Sequence, residues 1–126
     1  MVLGRDERPY LIFWKTRENR YTLPAILGCL EGEGLHRNFR ILLTGSIEEI
    51  PGEAASARAI VGFSFMTPRL WQTKQEVEKL RMILGKEAVL LAGGPHPTGD
   101  PQGTLGLGFD FVFVGESEQT FSAFLR

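Results

Sequence analysis

Five short apolar runs recur along the chain, at residues 10–14, 39–43, 59–65, 88–92 and 109–114. They are rich in Val, Ile, Leu and Phe and show little polar alternation. That is the pattern of strands covered on both faces, as in a parallel sheet. Two of the segments between them have helical spacing. In residues 21–35, Leu23, Ile26, Leu27 and Leu30 fall on one side of a helix. In residues 68–84, Leu70, Val77, Leu80, Ile83 and Leu84 do the same, with Glu76, Glu78, Lys79 and Arg81 outward. Thr67-Pro68 reads as the start of that helix, a capping hydroxyl followed by proline at the first helical position, and Gly85 as its stop. The stretch SIEEIPGEAASA predicts only a turn or a short helix, and PTGDPQGTLGLG carries too much Gly and Pro for a long one. A last helical segment, residues 116–126, places Phe121, Phe124 and Leu125 on one face.

Repeated β-α-β alternation argues for an open α/β sheet, and right-handed crossovers leave few topologies for it. The expected architecture is a three-layer, flavodoxin-like (Rossmann-like) parallel sheet of five strands in the order 2-1-3-4-5. A chain of 126 residues forms a single domain around one sheet. The net charge of −1 gives no long-range attraction to nucleic acid or to an anionic membrane surface. One cysteine, Cys29, makes no internal disulfide and fits a reducing compartment. The opening MVLGRDERPY has no signal-peptide core, and no apolar run reaches the length of a membrane span. These features predict a cytoplasmic protein.

Sheets of this kind bind ligands beyond the carboxyl ends of the strands, at the point where the strand order reverses. Three loops lie there. Residues 15–22, KTRENRYT, offer Thr16, Arg17 and Asn19 as donors, although Asn19 equally suits a helix cap. Residues 64–68, SFMTP, offer the hydroxyls of Ser64 and Thr67 and the pliable apolar side chain of Met66. Helix capping and core packing account for Thr67 and Met66 equally well. Residues 93–97, GGPHP, remove two side chains at Gly93 and Gly94, where a ligand would lie against bare backbone. Pro95 and Pro97 fix the chain there and hold His96 at the rim. A glycine pair alone also serves simply as a tight exit from a buried strand.

Catalytic patterns are missing. The sequence has no Gly-x-Ser-x-Gly elbow, no Cys–His pair in sensible placement and no His/Cys/carboxylate cluster with metal spacing. Lys15-Thr16 and Ser64-Phe65 occupy the places where a phosphoacceptor domain needs acidic residues. No catalytic or metal-ligating residue is expected in this chain.

Taken together, AGGPHPTGDP and the later VGESEQTF resemble the cobalamin (B12)-binding-like domain that precedes the catalytic barrel in many radical S-adenosylmethionine (SAM) enzymes. In that family the fourth strand ends in Gly-Gly with a following His, here Gly93, Gly94 and His96. The fifth ends in Gly-Glu-x-Glu-x-x-Phe, here Gly115, Glu116, Glu118 and Phe121. The resemblance covers essentially the whole chain. It implies a cofactor-binding accessory domain without catalysis of its own. Ser64, Met66 and Thr67 and the Gly93-Gly94 backbone would flank the nucleotide tail of cobalamin. Thr16, Arg17 and Asn19 would face the corrin, and Pro95, His96, Gly115 and Glu116 belong to the same site. The chain departs from the mutase-type pattern, for it has no Asp-x-His-x-x-Gly after the first strand. Cobalamin would therefore be held without a protein histidine on cobalt. The three-cysteine motif for a 4Fe-4S cluster is also absent. The resemblance thus implies that residues 1–126 are the N-terminal part of a longer radical SAM enzyme, such as a methyltransferase. Its barrel would be the partner of this domain and would bind the cluster and SAM. The alternatives are a degenerate domain of the same fold that only packs against the barrel, and flavin or nucleotide binding on the same scaffold.

Overall fold

The computed structural model describes residues 8–15, 22–51, 54, 58–65, 67–93, 95–114 and 124–125. Five strands, β1 (Tyr10–Trp14), β2 (Arg40–Thr44), β3 (Ala59–Ser64), β4 (Val89–Gly93) and β5 (Phe111–Val112), form one sheet in the order β2-β1-β3-β4-β5. Every pairing is parallel. The helices are α1 (Thr22–Gly32), α2 (Leu70–Leu84), α3 (Pro95–Gly99) and α4 (Pro101–Leu105). The expected flavodoxin-like order is the observed one.

Alternation along the strands sorts the core into two clusters, one on each face of the sheet. Tyr10, Ile12, Trp14, Val61, Phe63, Leu90 and Ala92 pack with Val77, Leu80 and Leu84 of α2. Leu11, Phe13 and Leu91 pack with Ile26 and Leu30 of α1 and with Leu35 and Phe39 beyond it. Leu11, Ile12, Leu30, Leu80 and Leu90 are wholly buried. Burial of each such side chain is worth about 1.5–3 kcal/mol, which is why β1 and the facing helix stripes set the position of everything else.

Local departures have identifiable causes. α1 ends at Gly32 rather than near residue 35, because Gly34 takes a φ of 74° and turns the chain into a 3-10 helix, Leu35–Asn38. The segment after β3 opens with a 3-10 turn, Thr67–Arg69, and Arg69 is the residue that caps α2, with no side-chain cap bond. Pro68 therefore sits in the tighter turn, not at the first α-helical position. Gly85 does stop α2, with φ 81° and its N–H donating to the Arg81 carbonyl at 3.0 Å. The fifth apolar run yields only two strand residues. At its entry the Asp110 carboxylate accepts the Leu90 N–H at 2.8 Å, so a side chain replaces a ladder carbonyl. PTGDP and its neighbours form α3 and α4, both short, as their Gly and Pro content dictates. No described helix is long and apolar enough to cross a membrane.

One departure matters for function. The expectation of strands buried on both faces fails for the edge strands β2 and β5, which are partly exposed, and for β3, whose residues alternate between buried and half-buried. Ala59, Val61 and Phe63 are covered by α2, whereas Ile60, Gly62 and Ser64 face the α1 side and are not fully covered.

Candidate functional site

The carboxyl ends of the strands are tied together by the backbone. The Lys15 N–H donates to the Thr44 carbonyl at 2.6 Å, continuing the β1–β2 ladder. A Cβ on Gly45 would lie 2.9 Å from the Lys15 carbonyl oxygen, so only glycine allows this approach. The Phe65 N–H donates to the Gly93 carbonyl at 3.3 Å, and the His96 N–H to the Phe65 carbonyl at 3.1 Å. The loops after β3 and β4 are thus one unit. Within it Ser64 lies opposite Gly93 in register. The His96 ring stacks on the buried Phe65 ring, with centroids 5.3 Å apart and planes 24° from parallel. His96 is held by that stack and by α3, whose turn brings the Asp100 N–H to the His96 carbonyl at 2.9 Å.

Of the sequence-predicted site residues, Ser64, Gly93, Pro95 and His96 come together here, and the backbone of Thr67 opens the adjoining turn. Thr16, Arg17, Asn19, Met66, Gly94, Gly115 and Glu116 lie outside the described residues, as do the side chains of Thr67 and Pro95.

The two faces of this edge differ. On the α2 face, aromatic rings fill the space. Trp14 stacks on Phe63 at 5.1 Å, Phe63 meets Phe109 edge-on at 5.5 Å, and Phe109 stacks on Phe65 at 6.2 Å. The Trp14 indole N–H donates to Glu76 Oε2 at 2.6 Å, and Arg69 Nη2 lies 4.0 Å from Glu76 Oε1. Burial raises the Glu76 carboxyl above its ordinary range, outweighing the Trp14 hydrogen bond and the charges of Arg69 and Lys79.

On the α1 face, side-chain size falls toward the carboxyl edge. β3 runs Ile60, Gly62, Ser64, and β4 runs Val89, Leu91, Gly93. Gly62, Ser64 and Gly93 are all half-buried, so small residues lie together on this face of β3 and β4. Phe13 lies opposite Gly62 in register on the β1 side. Phe113, just past β5, extends the β4–β5 ladder through its N–H to the Ala92 carbonyl at 2.8 Å. Phe124 packs edge-on against Phe113, centroids 5.7 Å apart. Gly62, Phe13 and Phe113 were not picked out from the sequence. A glycine inside a strand interior was the available signal, since it marks close approach by a ligand or another backbone.

The profile of the B12 binding domain family matches residues 25–125. The chain belongs to the B12-binding domain family. Among solved structures, the N-terminal domain of a hypothetical protein of Thermotoga maritima is 36% identical to this B12-binding domain, with a TM-score of 0.62. The match covers 88% of this chain and 89% of that one. Curated proteins yield no match. The described residues are compatible with a corrinoid: the small residues Gly62, Ser64 and Gly93 on one face of β3 and β4, with the Ser64 hydroxyl among them, suit a large, mostly apolar group that needs close backbone approach and few polar anchors.

Proposed function

We propose that this B12-binding domain is the cobalamin-holding accessory module of a radical SAM enzyme, one that methylates an unreactive carbon in the cytoplasm. The carrying observation is the cluster of small residues Gly62, Ser64 and Gly93 toward the carboxyl ends of β3 and β4, in a chain of this family. Gly62, Ser64 and Gly93 would hold the nucleotide tail, with the Ser64 hydroxyl as a polar anchor, and the strand ends would face the corrin. Bound there, the cofactor supplies a cobalt centre able to carry a methyl group. The domain's own residues bind, orient and exclude water. The barrel that follows in the parent chain supplies the 4Fe-4S cluster, SAM and the substrate.

The chain has two histidines. His36 lies in the 3-10 helix that leads into β2, at the amino edge of the sheet, and the His96 ring is stacked on Phe65. His36 is thus far from the carboxyl edge, and the reading of cobalt without a protein imidazole rests on the missing Asp-x-His-x-x-Gly after β1. A degenerate domain would have filled the space over its glycines, whereas Gly62 and Gly93 stay partly open. The test is a titration with hydroxocobalamin, followed by visible absorption and calorimetry. Saturable binding is expected, and the paramagnetic resonance spectrum of the reduced complex should be the same for ¹⁴N- and ¹⁵N-labelled protein. Absence of binding by both the domain and its full-length parent would overturn the reading.

A further inference from the structure

Helix α2 buries one side and leaves an ordered second side uncovered. Thr73, Val77, Leu80 and Leu84 are buried. Opposite them run Trp71, Gln75, Glu78 and Met82, spaced four, three and four residues apart, which is one line along a helix. All four are exposed. Trp71 is 71% and Met82 86% exposed, the highest values among the large hydrophobic side chains of the described residues. Neither belongs to a core cluster, and a solvated helix face needs neither.

The line is its own complement when reversed. Lay a second copy of α2 antiparallel across it, with the two-fold axis level with the midpoint between Glu76 and Val77. Trp71 of each copy then meets Met82 of the other at the two ends, and Gln75 meets Glu78 in the two middle layers. Indole against thioether is a favourable pairing. Trp71 is already braced by Lys74, whose Nζ lies 5.6 Å from its ring centroid. Such an axis sets each flank of the helix against the same flank of the other copy. Lys74 and Glu78 share a flank, so Glu78 of each copy comes level with Lys74 of the other, opposite charge to opposite charge. Arg81, on that flank too, is committed to the Ala88 and Gly108 carbonyls and to Asp110.

We propose that α2 is a self-association surface, through which two copies of this chain pair antiparallel with Trp71 seated on Met82. At about 150 Å² a side chain, the four anchors bury roughly 600 Å². That is below the roughly 1,200 Å² of a stable interface, so the dimer is weak and forms with rising concentration. The stripe faces away from the sheet, and the inference does not rest on the cobalamin-holding reading.

The test is sedimentation equilibrium over a concentration series reaching about 1 mM, in which wild-type protein is expected to pass from monomer to dimer. Trp71→Ala and Met82→Lys should each weaken association by about tenfold or more. Both side chains stand in solvent, so the melting temperatures of the variants should stay near that of the wild type. Charge tests the register. Glu78→Lys and Lys74→Glu should each self-associate about fivefold more weakly. An equimolar mixture of the two should recover, because opposite charges then meet between copies while the charges within each copy stay alike. A wild-type protein that is monomeric throughout would overturn the proposal. So would a dimer that survives either Trp71→Ala or Met82→Lys unweakened, or a mixture of the charge variants that associates no better than each alone.

Discussion

Glu76 shows how one buried group can tie a site to its scaffold. It joins the end of β1, through the Trp14 indole, to the turn after β3, through Arg69. Glu76 Oε1 and Arg69 Nε are both buried without a hydrogen-bond partner, so the carboxylate is incompletely compensated. A carboxyl that titrates higher in the folded chain than in the unfolded one binds its proton more tightly when folded. Its contribution to stability is fully present below the ordinary value of 4.5 and is lost as pH rises through the raised value. Glu76→Gln keeps an oxygen to accept the Trp14 N–H and removes the buried charge. Melting temperatures of the two proteins should therefore differ more at pH 7 than at pH 4, in favour of the glutamine. A pH-independent difference would mean that the carboxylate is not the cause. At this same scale, Gly93 and His96 were legible because GGPHP is an unusual run. Glu76 was not, since in sequence it is one more polar residue on a helix assigned an outward face.

Among the elements, α2 is held at both ends by different means. Near its start the Arg69–Glu76 pair links the opening turn to the helix. At its end Arg81 donates from Nη1 to the Ala88 carbonyl at 2.7 Å and the Gly85 carbonyl at 3.3 Å. From Nη2 it donates to the Gly108 carbonyl at 3.1 Å and to Asp110 Oδ2 at 3.0 Å. One guanidinium thus joins α2, the entry to β4 and the entry to β5. Asp110 is 40% exposed, so its ion pair contributes little through charge. The carbonyl bonds carry more. Arg81→Met keeps the apolar stem and should cost about 1–3 kcal/mol in urea denaturation. A cost near zero would show that water replaces the guanidinium at those carbonyls. The sequence placed Arg81 outward as a solvated charge. Only the packing of α2 against β4 and β5 brings its acceptors, up to 29 residues away, within reach.

For the whole molecule, the sheet order assembles this face. Phe13, Gly62, Leu91 and Phe111 come from four strands, and β2-β1-β3-β4-β5 is what sets them side by side. A ligand that binds only this assembled face stabilises the folded state against the unfolded one. With cobalamin at about one hundred times its Kd the gain is about 2.7 kcal/mol, so the melting temperature should climb steadily with cobalamin concentration. A melting temperature that stays flat across the series would mean that no folded-state site exists.

The sequence by itself determined the alternation of strands and helices, the parallel sheet and its strand order. Those follow from local hydrophobic period and from the few topologies that right-handed crossovers allow. It also made His96 and Gly93 visible, because glycine and proline act on the chain where they stand. Tertiary structure decided which face of the carboxyl edge is open. Trp14, Phe63, Phe65 and Phe109 close one face, while Ile60, Gly62 and Ser64 leave the other half-covered. That choice depends on side chains from distant strands meeting across a face of the sheet, and no local pattern records which of them meet.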